Sequence, residues 1–243
     1  MGETGSGVLL GLAASLAVVH TAIGVDHALP FVVLARVQRW SLGRTLAVTA
    51  ACGFGHIASA VVIGLFAVVL GLAVDQLAPL EAIRGRLGLG LLITFGLGYA
   101  ALGLFRLWKQ RPHHHAHVHD DGTLHDHHHG HADEHVHLHD DARKKAATAW
   151  TLFVVLVFGP CEALVPLLLA PGVAQDHRLL VGVIVVFGSL TVLTMLVLVT
   201  VGLLGARLVN LERLVGPKLA SAGDVVAGLA VAVTGVVVAA LGL

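Results

Sequence analysis

Two histidines and an aspartate, His20, Asp26 and His27, stand inside VVHTAIGVDHALPFVVLA (18–35), a segment that is otherwise apolar. Imidazole nitrogens and carboxylate oxygens are ligands for divalent first-row metals. An ionisable side chain in hydrocarbon is costly unless it faces a protein interior or a water-filled path, so three together mark a functional site. On a continuous helix His20 and His27 are about 700° apart and share a face. Gly24 lies between them on that face and leaves room for an ion or a second helix. Asp26 is one position off this line, where it can supply a carboxylate ligand or hold a ligating imidazole through its other nitrogen. Pro30 cannot donate to the carbonyl of Asp26, which frees a backbone acceptor beside the cluster. The competing reading is an interhelical hydrogen-bond network that only holds helices together.

Three further stretches carry donor groups. CGFGH (52–56) places His56 in an apolar run with Cys52, and Ser59 follows one turn later. GPCEALVP (159–166) brackets Cys161 and Glu162 with Pro160 and Pro166. Pro166 frees the carbonyl of Glu162 as Pro30 frees that of Asp26. Cys161 is either a soft ligand or a small buried hydrophobe, and Glu162 either meets an ion or snorkels from a kink. Ser189, Thr191 and Thr194 give a hydroxyl face of the kind that bonds backbone in membrane helices, and Asp224 reads as a helix cap.

The densest donor set lies between apolar runs. Residues 113–139 contain His113, His114, His115, His117, His119, His125, His127, His128, His129, His131, His135, His137 and His139, with seven acidic residues among or just after them. No apolar set there can build a core, so the segment is expected to be disordered without metal. Neutral imidazoles with carboxylates make overlapping sites for Ni²⁺, Co²⁺, Cu²⁺ or Zn²⁺ without imposing one geometry.

The rest of the chain must position these groups. Of 243 residues 56% are apolar and 12% charged, about half the charge of a soluble domain. The class is an all-α polytopic membrane protein. Spans are expected at about 8–35, 45–74, 87–107, 146–170, 179–204 and 223–243, each long enough for a ~30 Å core. Residues 1–108 form a first three-helix repeat, 109–145 the His-rich cytoplasmic loop, and 146–243 a second three-helix repeat. MGETGSG has no basic region ahead of the first apolar run, so that run is expected to be retained as a span and not cleaved. Loops after spans one, three and five hold 12 of the 15 Lys and Arg residues. The positive-inside rule places those loops in the cytoplasm and both termini outside. Three spans per half give opposed orientations, the inverted arrangement of secondary transporters. DHALP (26–30) can be laid on CEALVP (161–166), and FGH (54–56) on FGS (187–189). Cys52 and Cys161 are too few for a disulfide framework or a Cys-rich metal site.

A histidine, a short spacer and Asp-His in the first span, then Gly-His in the second, resembles the nickel/cobalt transporter family. The likeness extends to its urease-accessory-type and hydrogenase-accessory-type permease branch, within the superfamily that includes the amino-acid exporters. It covers all six spans in layout and is specific in HTAIGVDH and CGFGH, with GPCEALVP as weaker support. The resemblance implies metal selection by His20, Asp26 and His27, with His56 as the span-two histidine. The family signature has four residues before Asp-His. Here Thr21 to Val25 make five, which turns His20 by about 100° on a continuous helix, so the urease-accessory-like relatives match better. Several bacterial efflux members also carry a His-rich cytoplasmic segment.

The function expected is secondary transport of a divalent transition metal, Ni²⁺ or Co²⁺ foremost, across the bacterial cytoplasmic membrane, with Zn²⁺ a further occupant of the His-rich loop. Nothing resembles a nucleotide-binding loop, so energy must come from an ion gradient or a separate partner. No catalytic constellation, prosthetic group or nucleic-acid partner is expected. The partners are the metal ion, the lipid bilayer and a metallochaperone or metalloenzyme. Three alternatives differ in class. One is a membrane metal-buffering or accessory protein that delivers metal to an enzyme. Another is an exporter of small organic solutes, which leaves the His-rich loop unexplained. The last is a thiol or electron relay, which wants one cysteine from each half able to meet.

Overall fold

The computed structural model describes residues 3–109, 113–118, 124–129, 138–159, 161, 163–208 and 222–241. Its helices are α1 (Glu3–Ile23), α2 (Leu29–Val37), α3 (Leu42–Leu70), α4 (Val74–Lys109), α5 (Leu138–Phe158), α6 (Leu164–Val173), α7 (His177–Leu208) and α8 (Gly223–Leu241). Two short strands, β1 (His113–Val118) and β2 (Leu124–His129), lie between α4 and α5. Five described stretches, 4–23, 42–70, 74–109, 177–206 and 223–241, are long and apolar enough to cross a membrane. Large apolar side chains face outward on them, including Val69 at 81% exposure and Phe66 at 62%. Such a surface suits lipid and not water. The chain is a multi-pass membrane protein.

The first expected span is not one helix. α1 stops at Ile23, a single 3₁₀ turn covers Val25–His27, and α2 starts at Leu29 with Pro30 in its first turn. Proline at the start of a helix lacks a donor that would be unused there anyway, whereas inside one it would clash with the preceding turn. The expectation of a continuous helix through His20 and His27 is therefore corrected. A second interruption lies between the end of α5 at Phe158 and the start of α6 at Leu164. The expected fourth span is thus two helices as well.

α4 begins at Val74, well before the expected start at residue 87. The stretch left between the second and third expected spans is helix, and Glu81 and Arg84 within it are only 5% and 7% exposed. They pair with each other one turn apart, which lets the helix run on through two charges. α3 is delimited at both ends by its sequence. Ser41 Oγ accepts from the Arg44 amide at 3.2 Å, and Gly71 closes it in the left-handed region at φ 66°.

α4 packs along α8, α1 against α7, and α3 against α5, α6 and α7; α2 meets α7 and α8, and α5 meets α4. At the α4–α8 crossing Gly96 and Ala100 oppose Gly228 and Ala232. A methyl on Gly96 would lie 2.7 Å from the Gly228 carbonyl, and one on Gly228 would lie 2.6 Å from the Gly96 carbonyl. Small residues here let two backbones touch, the main source of helix association where lipid tails are as apolar as leucine. The interior holds one apolar cluster around Phe31, Leu34, Cys52, Leu152, Met195 and Val231. A second surrounds Ala13, Ala17, Cys161, Leu168, Val183 and Phe187.

The expectation that the His-rich segment is without fixed structure is modified by β1 and β2, which form an antiparallel pair. His113 is opposite His129, His115 opposite His127, and His117 opposite His125. His139 falls at the start of α5. His119, His131, His135 and His137 lie outside the described residues.

Candidate metal centre

His20 is in the last turn of α1, His27 closes the 3₁₀ turn, and His56 is mid-way along α3. His27 and His56 are buried at 3% and 1% exposure. The ring centroids are 5.1 Å apart for His20 and His27 and 5.4 Å apart for His27 and His56. One ring nitrogen from each of the three lies within 4.8 Å of the other two. Imidazoles bound at ~2.1 Å around a common ion have nitrogens about 3.0–3.4 Å apart. Ring rotations of the order of 1 Å therefore suffice to clasp one. The cluster can hold a metal ion.

The outward-facing nitrogens are fixed from behind. His56 Nδ1 is 2.9 Å from the carbonyl of Leu156, and His27 Nδ1 is 3.2 Å from that of Gly24. A carbonyl can only accept, so each Nδ1 carries the hydrogen and each Nε2 carries the free lone pair. Asp26 Oδ1, 3.1 Å from His27 Nδ1, takes part behind the same ring. Nε2 of His56 and Nε2 of His20 are buried without a hydrogen-bond partner. Unpaired buried polar atoms are rare enough to require a cause. An imidazole tied to a carbonyl or carboxylate through one nitrogen, with the other free, is the arrangement of metal-ligating histidines.

The 3₁₀ turn explains how His20 joins the group despite the five-residue spacer. Rotation along a continuous helix does not govern its position, because the chain leaves the helix at Gly24. The Gly24 amide donates to His20 O at 3.0 Å, the last α-helical bond, and the His27 amide to Gly24 O at 3.1 Å, so α1 gives way at Gly24 to the 3₁₀ turn that carries His27. Gly24 is needed for space: a methyl there would lie 2.7 Å from His27 Cε1 and 3.0 Å from Asp26 Oδ1. A space of about 10 Å³ remains beside Asp26, His27, His56, Leu92, Leu156 and Gly159, of the order of one water-sized body.

The other expected donors are placed differently. Cys161 is buried in the apolar cluster with Leu164 and Leu168, and Cys52 is in the other cluster. Glu162 and Pro160 lie outside the described residues. Thr191 Oγ1 is buried without a partner. Asp224, expected as a cap, lies in the first turn of α8, and its carboxylate accepts from Tyr99 at 3.1 Å and from Arg106 at 2.7 Å, tying α8 to α4. Glu81 and Arg84 are the polar residues that sequence reasoning assigned to a loop. Opposite charges three apart in EAIR, with apolar neighbours at helical spacing, are the signal that could have found them.

No family model matches the chain, and no curated protein or solved structure matches it. The fold and the histidine cluster by themselves define a multi-pass membrane protein with a membrane-embedded imidazole site able to take a metal ion.

Proposed function

We propose that the chain is a secondary transporter that moves a divalent first-row metal, Ni²⁺ or Co²⁺, across the cytoplasmic membrane through the His20–His27–His56 site. The observation that carries this reading is the approach of three imidazole nitrogens inside an apolar bundle, with Nε2 of His20 and of His56 buried and unpaired. Imidazole suits nickel, cobalt, zinc and copper and suits magnesium and calcium poorly. A three-nitrogen shell leaves positions for water, so the ion can exchange ligands stepwise instead of being caged. Asp26 offsets part of the ion's charge and holds His27. Glu162 is proposed to add a carboxylate from the other half.

Two interrupted helices support a transport path, because irregular backbone at membrane depth is tolerated where it lines a cavity. The inverted-repeat reading pairs α1/α2, α3 and α4 with α5/α6, α7 and α8. Exchanging the halves turns the α1–α7 contact into α5–α3, α2–α7 into α6–α3 and α2–α8 into α6–α4, all of which are made, while α4–α8 and α3–α7 map onto themselves. With Arg84 buried in α4, only Arg86 and Arg178 remain as basic residues of the segments read as external. This favours both termini outside and the His-rich segment in the cytoplasm. That segment would concentrate metal at the inner mouth. The likeness of HTAIGVDH and CGFGH to nickel/cobalt transporters points to the same cargo.

The test is initial Ni²⁺ and Co²⁺ flux into vesicles holding the purified chain, with Zn²⁺ and Mn²⁺ as competitors. Saturable Ni²⁺ or Co²⁺ flux abolished by His27→Ala and His56→Ala is expected. Ni²⁺ binding without flux under any ion gradient would make the chain an accessory metal-binding protein instead.

A further inference from the structure

Arg84 and Glu81 lie in α4, within a helix that crosses the membrane, and nothing in the metal site as described uses them. Charges in such a place face the bundle interior and serve a function by default. Arg84 Nη1 is 3.3 and 3.2 Å from the two Glu81 carboxylate oxygens. Its second amino group, Nη2, donates to Ser59 Oγ at 2.6 Å and to the carbonyl of Val157 at 3.2 Å. Ser59 Oγ in turn donates to the carbonyl of His56 at 2.7 Å. The carbonyl next to that of Val157, on Leu156, receives His56 Nδ1–H.

Leu156 and Val157 belong to the last turn of α5, where carbonyls run short of helical partners; the Leu156 carbonyl also accepts from the Gly159 amide at 3.0 Å. A guanidinium and an imidazole are thus the side-chain donors on two successive carbonyls at the α5–α6 interruption. We infer that Arg84, neutralised by Glu81, is a positioning residue for the metal site: it clamps the end of α5 and the His56 turn of α3 together, so that the Leu156 carbonyl stays in place to hold His56 as the Nδ1–H tautomer with Nε2 toward His20 and His27. A lone positive charge would disfavour a cation nearby, and Glu81 removes that penalty while leaving the forked donors. The metal consequence rests on the transport-site reading above; the effect on the His56 tautomer does not.

The test uses the full chain in detergent or nanodiscs with E81L/R84M. Replacing both members of a buried pair by apolar residues of similar volume usually preserves folding, whereas removing one strands a charge. Two readouts are taken. In the metal-free protein, imidazole ¹⁵N shifts, with His56 assigned by its loss in H56Q, report the tautomer. Co²⁺ titration followed by visible absorption reports affinity and ligand field. The wild type is expected to show His56 as the Nδ1–H form, and E81L/R84M a mixture. Co²⁺ affinity should fall about tenfold, as expected for loss of an outer-shell support, with altered d–d bands in the folded fraction. An unchanged His56 tautomer together with wild-type Co²⁺ affinity in folded E81L/R84M would overturn the inference. If the wild type binds no Co²⁺ yet the variant still loses the tautomer, the positioning of His56 stands and the metal reading falls.

Discussion

Gly24→Ala separates a cost at the site from a cost to the fold. Gly24 has φ −69° and ψ 95°, which alanine also adopts. The backbone therefore need not change, and a less flexible unfolded chain contributes about 0.4–1 kcal/mol of stability. The new methyl would stand 2.7 Å from His27 Cε1, whereas ordinary contact begins near 3.4 Å. His27 Nδ1 would lie closer still to that methyl, so the ring must retreat by more than about 0.7 Å, beyond the ~0.5 Å tolerance of a working ligand constellation. Its hydrogen bonds to Gly24 O and Asp26 lengthen with it. Ni²⁺ affinity should fall about 10–100-fold, or ~1.4–2.8 kcal/mol, while the thermal midpoint in detergent changes little. Gly11→Ala, in α1 with nothing within 4 Å of the added methyl, is the control and should bind as wild type. Isothermal titration with Ni²⁺ on both variants decides the matter. Wild-type affinity in well-folded Gly24→Ala would refute the reasoning that ring placement governs binding.

Asp26→Asn retains an acceptor for His27 Nδ1–H but removes the charge, so Ni²⁺ binding should weaken about tenfold and flux should fall with it; His20→Ala should cost as much as His27→Ala, because all three rings meet, and a His20 variant with unaltered affinity would exclude it from the shell. Gly228→Ala drives a methyl to 2.6 Å from the Gly96 carbonyl, and such overpacking should destabilise by about 1–3 kcal/mol. Gly98→Ala, with open space around it, should not, and equal unfolding midpoints for the two would contradict the α4–α8 packing. Deleting residues 113–139 should lower the number of Ni²⁺ ions bound per chain yet leave flux at saturating metal, whereas a folded deletion variant without flux at any concentration would place the loop on the path.

The cluster was legible because ionisable groups in apolar runs are conspicuous: His20, Asp26, His27 and His56 need no alignment to be noticed. Its geometry was not. Helical rotation placed His20 and His27 on one face, then a one-residue longer spacer turned His20 by about 100°, and both arguments assumed a helix that ends at Ile23. Pro30 signalled a disruption, but whether a proline kinks a helix or starts a new one depends on the packing around it, here of α2 on α7 and α8. Glu81 and Arg84 were hidden because charge patterns mark loops when counted singly, and only their burial together reveals a pair. The α4–α8 contact through Gly96 and Gly228 lay in a background of 29 glycines, too many to single out two. Cys161 is packed with Leu164 and Leu168, a fact of tertiary structure that the motif GPCEALVP does not contain.

His20, His27 and His56 together are proposed to hold one transition-metal ion. X-ray absorption at the nickel edge, on the chain lacking residues 113–139 and loaded with one equivalent of Ni²⁺, tests it with the competing histidines removed. One tightly held ion per chain is expected, with the multiple-scattering signature of three imidazoles at ~2.0–2.1 Å, reduced to two in His56→Ala. A shell of oxygen alone, or an imidazole count that is the same in His56→Ala, would contradict it.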